Sequence, residues 1–144
     1  LAREVRRARA LTAATRSLAA SDRSARALEQ RLARAGHSAA AREDAIASLA
    51  RAGALDDARL AENRAETLAR RGYGDAAIRA DLRRRLIAPE AAADAVADLE
   101  PEAVRLRRVL ENESVTPALL RRLAGRGFSR DSLDEVGSSF ASEP

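Results

Sequence analysis

The sequence repeats itself, and that repetition limits its fold more than any single motif. Displaced by 50 residues, Leu28, Leu32, Arg34, Ile46 and Leu49 fall on Ile78, Leu82, Arg84, Val96 and Leu99. Displaced by 41, Ile78, Leu82, Arg85 and Ile87 fall on Leu119, Leu123, Arg126 and Phe128. Each copy reads as a helix with apolar residues at i and i+4, a corner at His37, Ile87 or Phe128, and a second helix returning onto the first. An opening helix precedes each pair, over Arg3 to Ala20, Leu55 to Arg71 and Glu102 to Glu113. A repeat of this period is the signature of an array whose units bury one face against each other and leave a long outer surface free. The expected fold is therefore all-α. Three tandem three-helix modules, residues 1–53, 54–100 and 101–144, form an elongated, curved, right-handed or similar helical array, with a frayed tail after Ser138-Ser139-Phe140.

The punctuation agrees. Gly36, Gly53, Gly72 with Gly74, Pro89, Pro101, Pro117, Gly125 with Gly127, and Gly137 cut the 144 residues into helix-length pieces. Capping residues stand at Ser21 or Asp22, Ser38, Asp75, Thr116 and Ser129. Composition supports helix as well, since Ala, Leu, Arg and Glu are good helix formers and strand formers are scarce. Within the first helix, Leu1, Ala8, Leu11, Thr15 and Leu18 fall on one stripe and Arg3, Arg6, Arg7, Arg9 and Arg16 occupy the other faces, which fits an amphipathic helix packed by that stripe and equally an outer cap or a basic surface helix.

The residues available restrict the chemistry. Zero Cys and one His leave no material for a disulfide framework, a thiolate metal site or an imidazole cluster, and without Lys there is no Walker loop. Neither an apolar signal core nor an 18-residue apolar run is present, so the reading is a soluble, cytoplasmic, monomeric protein without membrane contact. No enzyme activity, cofactor or metal is expected. All 26 basic residues are Arg, which suits bidentate contact with carboxylate or phosphate. Residues 1–53 hold 11 Arg against 5 acids, 54–100 hold 8 against 10, and 101–144 balance at 7 each. A basic first third suits a polyanion.

On the helix from Asp75 to Ile87, Ile78, Leu82 and Leu86 form the core face, Arg79, Arg83 and Arg84 point elsewhere, and Arg85 snorkels. The surface candidates for binding acidic protein groups or phosphates are Arg83 and Arg84, with Arg70 and Arg71 from the preceding turn. Arg122 and Arg126 make a second basic edge, and Arg31 and Arg34, with Arg23, a third. Asp56 and Asp57 open the middle module as caps and dipole partners. Gly72 and Gly74 bracket Tyr73 in a tight turn that calls for positive φ. His37 reads as a packed corner residue. Arg64 interrupts an apolar stripe, which calls for a carboxylate from another module or an exposed contact stripe.

The middle module reads Leu55-Asp56-Asp57-Ala58-Arg59-Leu60-Ala61, then Arg71-Gly72-Tyr73-Gly74-Asp75-Ala76-Ala77-Ile78, then Leu82-Arg83-Arg84-Arg85-Leu86-Ile87. It resembles RecX, a family of bacterial regulatory proteins that bind the RecA recombinase, with a pattern of Leu-x-Asp-x-x-Phe-Ala, Arg-x-Gly-x-Gly-x-x-x-Ile and a basic helix ending in a corner. Arg126-Gly127-Phe128-Ser129 is similar to the family's closing Gly-Phe-Ser corner. Leu60 stands where the family prefers Phe. The resemblance implies a non-catalytic regulator that lodges on the RecA nucleoprotein filament and inhibits its recombinase, ATPase and coprotease activities, modulating recombination and the SOS response. Weak direct DNA binding is compatible with the arginines. The alternative is a helix-turn-helix DNA-binding regulator, which short helices with Gly corners and Arg-rich second helices also describe.

Overall fold

The structure is a computed structural model that describes residues 1–142. Among these residues there are nine α-helices and no strand: α1 (Ala2–Ala20), α2 (Ala25–Arg34), α3 (Ala39–Arg51), α4 (Asp57–Arg70), α5 (Asp75–Arg84), α6 (Pro89–Ala97), α7 (Glu102–Leu110), α8 (Pro117–Gly125) and α9 (Arg130–Ala141). Side-chain oxygens of Ser24, Ser38, Asp56, Thr116 and Ser129 accept the amide three residues on and so start five of the helices. Pro89 and Pro117 start α6 and α8 as the first helical residue, where the missing N–H is no loss.

Extensive helix packing stays within trios. α1–α3, α4–α6 and α7–α9 each surround their own apolar cluster. In each trio the opener lies against the third helix, and the second helix completes the core with its i, i+4 pair: Leu28 and Leu32, Ile78 and Leu82, Leu119 and Leu123. The corner residues Ile87 and Phe128 are buried with them, whereas His37 is only half-buried. No hydrogen bond or ion pair joins the first trio to the third among the described residues, so the trios stand in a row. The fold is a helical repeat array, as the repeat predicts.

Four local expectations are corrected. The buried stripe of α1 is Ala10, Ala14 and Ser17, not the Leu1, Ala8, Leu11, Thr15 stripe. Leu1 and Leu11 are exposed, and of that stripe only Leu18 reaches the core. α1 meets α3 through Ala41 and Ala45, and two Ala surfaces let the backbones approach where a Leu would hold them apart. Leu86 lies beyond the end of α5, half-buried, in a left-handed turn at φ 57°. Leu55, past the expected 53/54 boundary, packs into the first cluster. α9 continues through Ser138, Ser139 and Phe140, with Phe140 against the third core, and the last two residues of the expected tail, 143 and 144, lie outside the described residues.

Candidate partner-binding surface

The eight arginines singled out above share one structural position, the end of a helix. Arg31 and Arg34 are in the last turn of α2, Arg83 and Arg84 in the last turn of α5, and Arg122 in that of α8. Arg70 is in the last turn of α4, with Arg71 and Arg126 as the C-caps of α4 and α8. A cation there faces the partial negative charge of the unpaired carbonyls, which is one reason for Arg at these places. All eight are exposed. Arg31, Arg34, Arg70, Arg71, Arg83 and Arg122 have no carboxylate within ion-pair reach among the described residues. Because α2, α5 and α8 are equivalent in their trios, the second helix of every trio presents such a cation at its C-terminal end.

Two of the eight are engaged. Arg84 reaches Asp81 at 3.7 Å while keeping 71% of its side chain exposed. Arg126 lies over the Tyr73 ring, 5.0 Å from its centre, and so serves the contact between the second and third trios.

Arg64 finds its carboxylate inside its own trio, not in another one. Its Nε and Nη2 donate to Asp81 Oδ2 and Oδ1 at 2.8 and 3.0 Å, a two-toothed pair across α4 and α5. Arg85 Nε donates to the same Oδ2 at 3.0 Å, which is where its expected snorkelling ends. The hydrogen bond from Arg64, helped by the charges of Arg64 and Arg85, outweighs desolvation and holds the Asp81 carboxyl below the ordinary range; the same bond raises Arg64. The pair fixes the end of α5 from which Arg83 and Arg84 project.

Of the turn residues, Asp56 caps α4, its Oδ1 accepting the Arg59 amide at 3.1 Å. Asp57 has a different role from the expected cap. It bridges two trios, Oδ1 accepting the Ala25 amide at 2.9 Å and Oδ2 the Ala88 amide at 3.0 Å. Gly72 has φ 86°, as the turn requires. Gly74 does not: it is the N-cap of α5 at φ −84°, and it is glycine because a Cβ would lie 2.3 Å from the Gly127 backbone. Between Gly74 and Gly127 the second and third trios touch backbone to backbone, with Gly74 N–H donating to Arg126 C=O at 2.9 Å and Ala76 N–H to Gly127 C=O at 3.2 Å.

The sequence reading missed three residues of that contact. Glu102 Oε1 accepts the Asp75 amide at 2.9 Å, and its Oε2 accepts the Ser129 amide at 3.2 Å and the hydroxyls of Ser129 and Ser132 at 2.7 and 2.6 Å. Burial opposes ionisation of Glu102, but the hydrogen bonds from Ser132, Ser129 and the two amides together keep its carboxyl below the usual range. Arg105 is buried, with donors to the carbonyls of Glu100 and Tyr73 and an ion pair to Asp75. Burial pushes the Asp75 carboxyl up despite Arg105. An arginine on the apolar side of α7, three residues after a first-turn glutamate, was the available signal.

No helix among the described residues is long and apolar enough to cross a membrane, and no group of His, Cys, Asp or Glu there is placed to hold a metal ion.

No curated protein sequence matches the chain significantly. Residues 56–96, which span α4 to α6, match the family described as RecX, second three-helix domain. The fold of the whole chain is similar to the crystal structure of RecX from Lactobacillus salivarius, with a TM-score of 0.79, 19% sequence identity, and coverage of 94% of this chain and 97% of that one. The trio α4–α6 thus matches the second domain of the RecX family, and the solved structure extends the likeness in fold to all three trios.

Proposed function

We propose that the chain is a non-catalytic regulator that binds RecA and its filament on DNA and inhibits recombinase, ATPase and coprotease activity, thereby modulating recombination and the SOS response. The observation that carries this reading is the recurrence of exposed, carboxylate-free arginines at the same end of the second helix in each trio of a RecX-type array. A row of equivalent cations suits a partner that itself repeats. Each contact is then weak alone, and tethering to the others raises its effective concentration. Arg31 and Arg34, Arg83 and Arg84 with Arg70 and Arg71, and Arg122 with Arg126 are the proposed contacts to acidic groups of RecA or to DNA phosphates. In this reading the protein acts as a cytoplasmic monomer.

The test is ATP hydrolysis by RecA on single-stranded DNA. Near-equimolar protein should slow turnover several-fold, and the Arg83→Glu/Arg84→Glu variant should lose most of that inhibition while its far-ultraviolet circular dichroism stays unchanged. Undiminished turnover with the wild-type chain overturns the reading. Steeply salt-dependent binding to one duplex sequence without any effect on RecA would favour a DNA-binding regulator instead.

A further inference from the structure

The two joints of the array are built from the same parts. Buried Ala10 and Ala14 of α1, Ala61 and Ala65 of α4, and Leu106 and Leu110 of α7 bring the openers into register. In that register Asp57 and Glu102 are equivalent. Each accepts the first helical amide of the preceding trio's second helix, Ala25 or Asp75, together with the amide that caps its own trio's third helix, Ala88 or Ser129. One carboxylate therefore ties two trios. The latch is confined to these joints. The equivalent residue in α1 is Arg6, which cannot accept a hydrogen bond, and the first residue of α8 is Pro117, which has no N–H to donate.

The joints differ in what supports the latch. Between the second and third trios, the two glycines allow backbone contact, Arg105 adds a buried ion pair and Arg126 packs on Tyr73. Between the first and second, Ser24 replaces Gly74 and Leu86 replaces Gly127. Ser24 reaches Arg85 C=O through its hydroxyl, at 2.9 Å, where Gly74 uses its backbone N–H. The bond from the second helical amide to the corner carbonyl, made by Ala76 to Gly127, has no counterpart from Arg26 to Leu86. Three hydrogen bonds then cross the first joint among the described residues: Ser24 to Arg85, Ala25 to Asp57, and Arg59 Nη2 to Gly53 C=O at 3.1 Å beside the chain crossing. The Ala88 amide, from Asp57's own trio, orients the carboxylate and does not cross the joint.

We propose that the first joint is a hinge latched by Asp57, about which the arginine-rich first trio turns relative to a rigid unit of the other two. The inference concerns the joint alone and holds whatever the chain binds. Few direct polar links cross that joint, and the apolar clusters on its two sides are separate, so bending there breaks little. The first 53 residues carry an excess of 6 positive charges and the rest of the chain an excess of 2 negative ones, so the hinge moves a basic body relative to a slightly acidic one.

The absence of cysteine makes the test clean, because introduced cysteines are the sole labels. Spin labels at the exposed positions Ala33→Cys, Ala93→Cys and Ala124→Cys are measured pairwise by double electron–electron resonance. The 33–93 distance distribution should be at least twice as wide as 93–124. Asp57→Asn should widen 33–93 further and leave 93–124 and the helicity unchanged, since the two N–H groups bond to different carboxylate oxygens and Asn puts an NH2 donor in place of one of them. Ser24→Gly/Leu86→Gly, which gives the first joint the residues of the second, should narrow 33–93. A 33–93 distribution as narrow as 93–124 in the unsubstituted background overturns the hinge, and so does one that neither substitution moves.

Discussion

Gly36, Leu86 and Gly127 occupy one corner in the three trios, with φ of 90°, 57° and 93°, but the demands on the three differ. At Gly36 a Cβ would meet nothing within 4 Å, so only the backbone conformation asks for glycine. At Gly127 it would lie 2.4 Å from the Ala77 amide nitrogen, inside the second joint. Gly36→Ala should therefore cost about 1–2 kcal/mol, the left-handed penalty for an L-residue. Gly127→Ala should cost about 1–3 kcal/mol more, because the joint must also shift to admit the methyl. Urea midpoints of the two variants check this, and equal losses would show that the close approach of α5 carries no stability. Leu86, half-buried at the first joint, shows that the corner tolerates a side chain, at the expense of the backbone strain that Gly avoids.

At the scale of the helix, α1 shows how a core is hidden by its own composition. Its packed residues are Ala10 and Ala14, set against Ala41 and Ala45 of α3, so the face that buries most carries the least hydrophobic contrast. Periodicity reads the Leu residues, and Leu1 and Leu11 are the exposed ones. Leu11→Ala should change stability by less than about 0.5 kcal/mol, as surface substitutions do. Leu28→Ala, at a position with no solvent exposure, should cost about 2–5 kcal/mol. Thermal unfolding of the two variants separates the assignments, and a large loss at Leu11 would restore the stripe expected from sequence. The second helices were legible for the opposite reason, because their i, i+4 Leu and Ile pairs are large and recur at a fixed displacement. Asp57 and Glu102 were not, since the openers they begin are displaced by 45 residues and not by the 50 or 41 that align the other helices. A first-turn acid also reads as a partner of its own helix dipole, and only coordinates reveal that its oxygens face a neighbouring trio. Arg64 was half legible: the need for a carboxylate followed from its place on an apolar stripe, but Asp81 lies on a helix whose orientation the sequence does not give.

Across the whole molecule, stability is a sum over three small cores and two unequal joints, because no apolar cluster bridges the trios. In such an array each unit contributes its own free energy and each joint a nearest-neighbour coupling. Cooperativity survives only where the coupling is large compared with the differences between units. The second joint, with its two backbone hydrogen bonds, the Asp75 amide to Glu102 and the buried Arg105 bound to Tyr73 C=O and Asp75, meets that condition far better than the first, whose direct links are the Ala25 amide to Asp57, the Ser24 hydroxyl to Arg85 and Arg59 to Gly53 C=O. Heating should then release the first trio separately from the other two. The calorimetric enthalpy of unfolding should exceed the van't Hoff enthalpy, whereas a single two-state transition makes them equal. Asp57→Asn should widen the difference by uncoupling the first trio further. Glu102→Gln should lower the melting of the second and third trios, because it replaces one of the two oxygens that hold the Asp75 and Ser129 amides with an NH2 donor. Equal enthalpies in the wild-type chain would mean that the first joint couples as strongly as the second, and the array would then unfold, and bend, as one body.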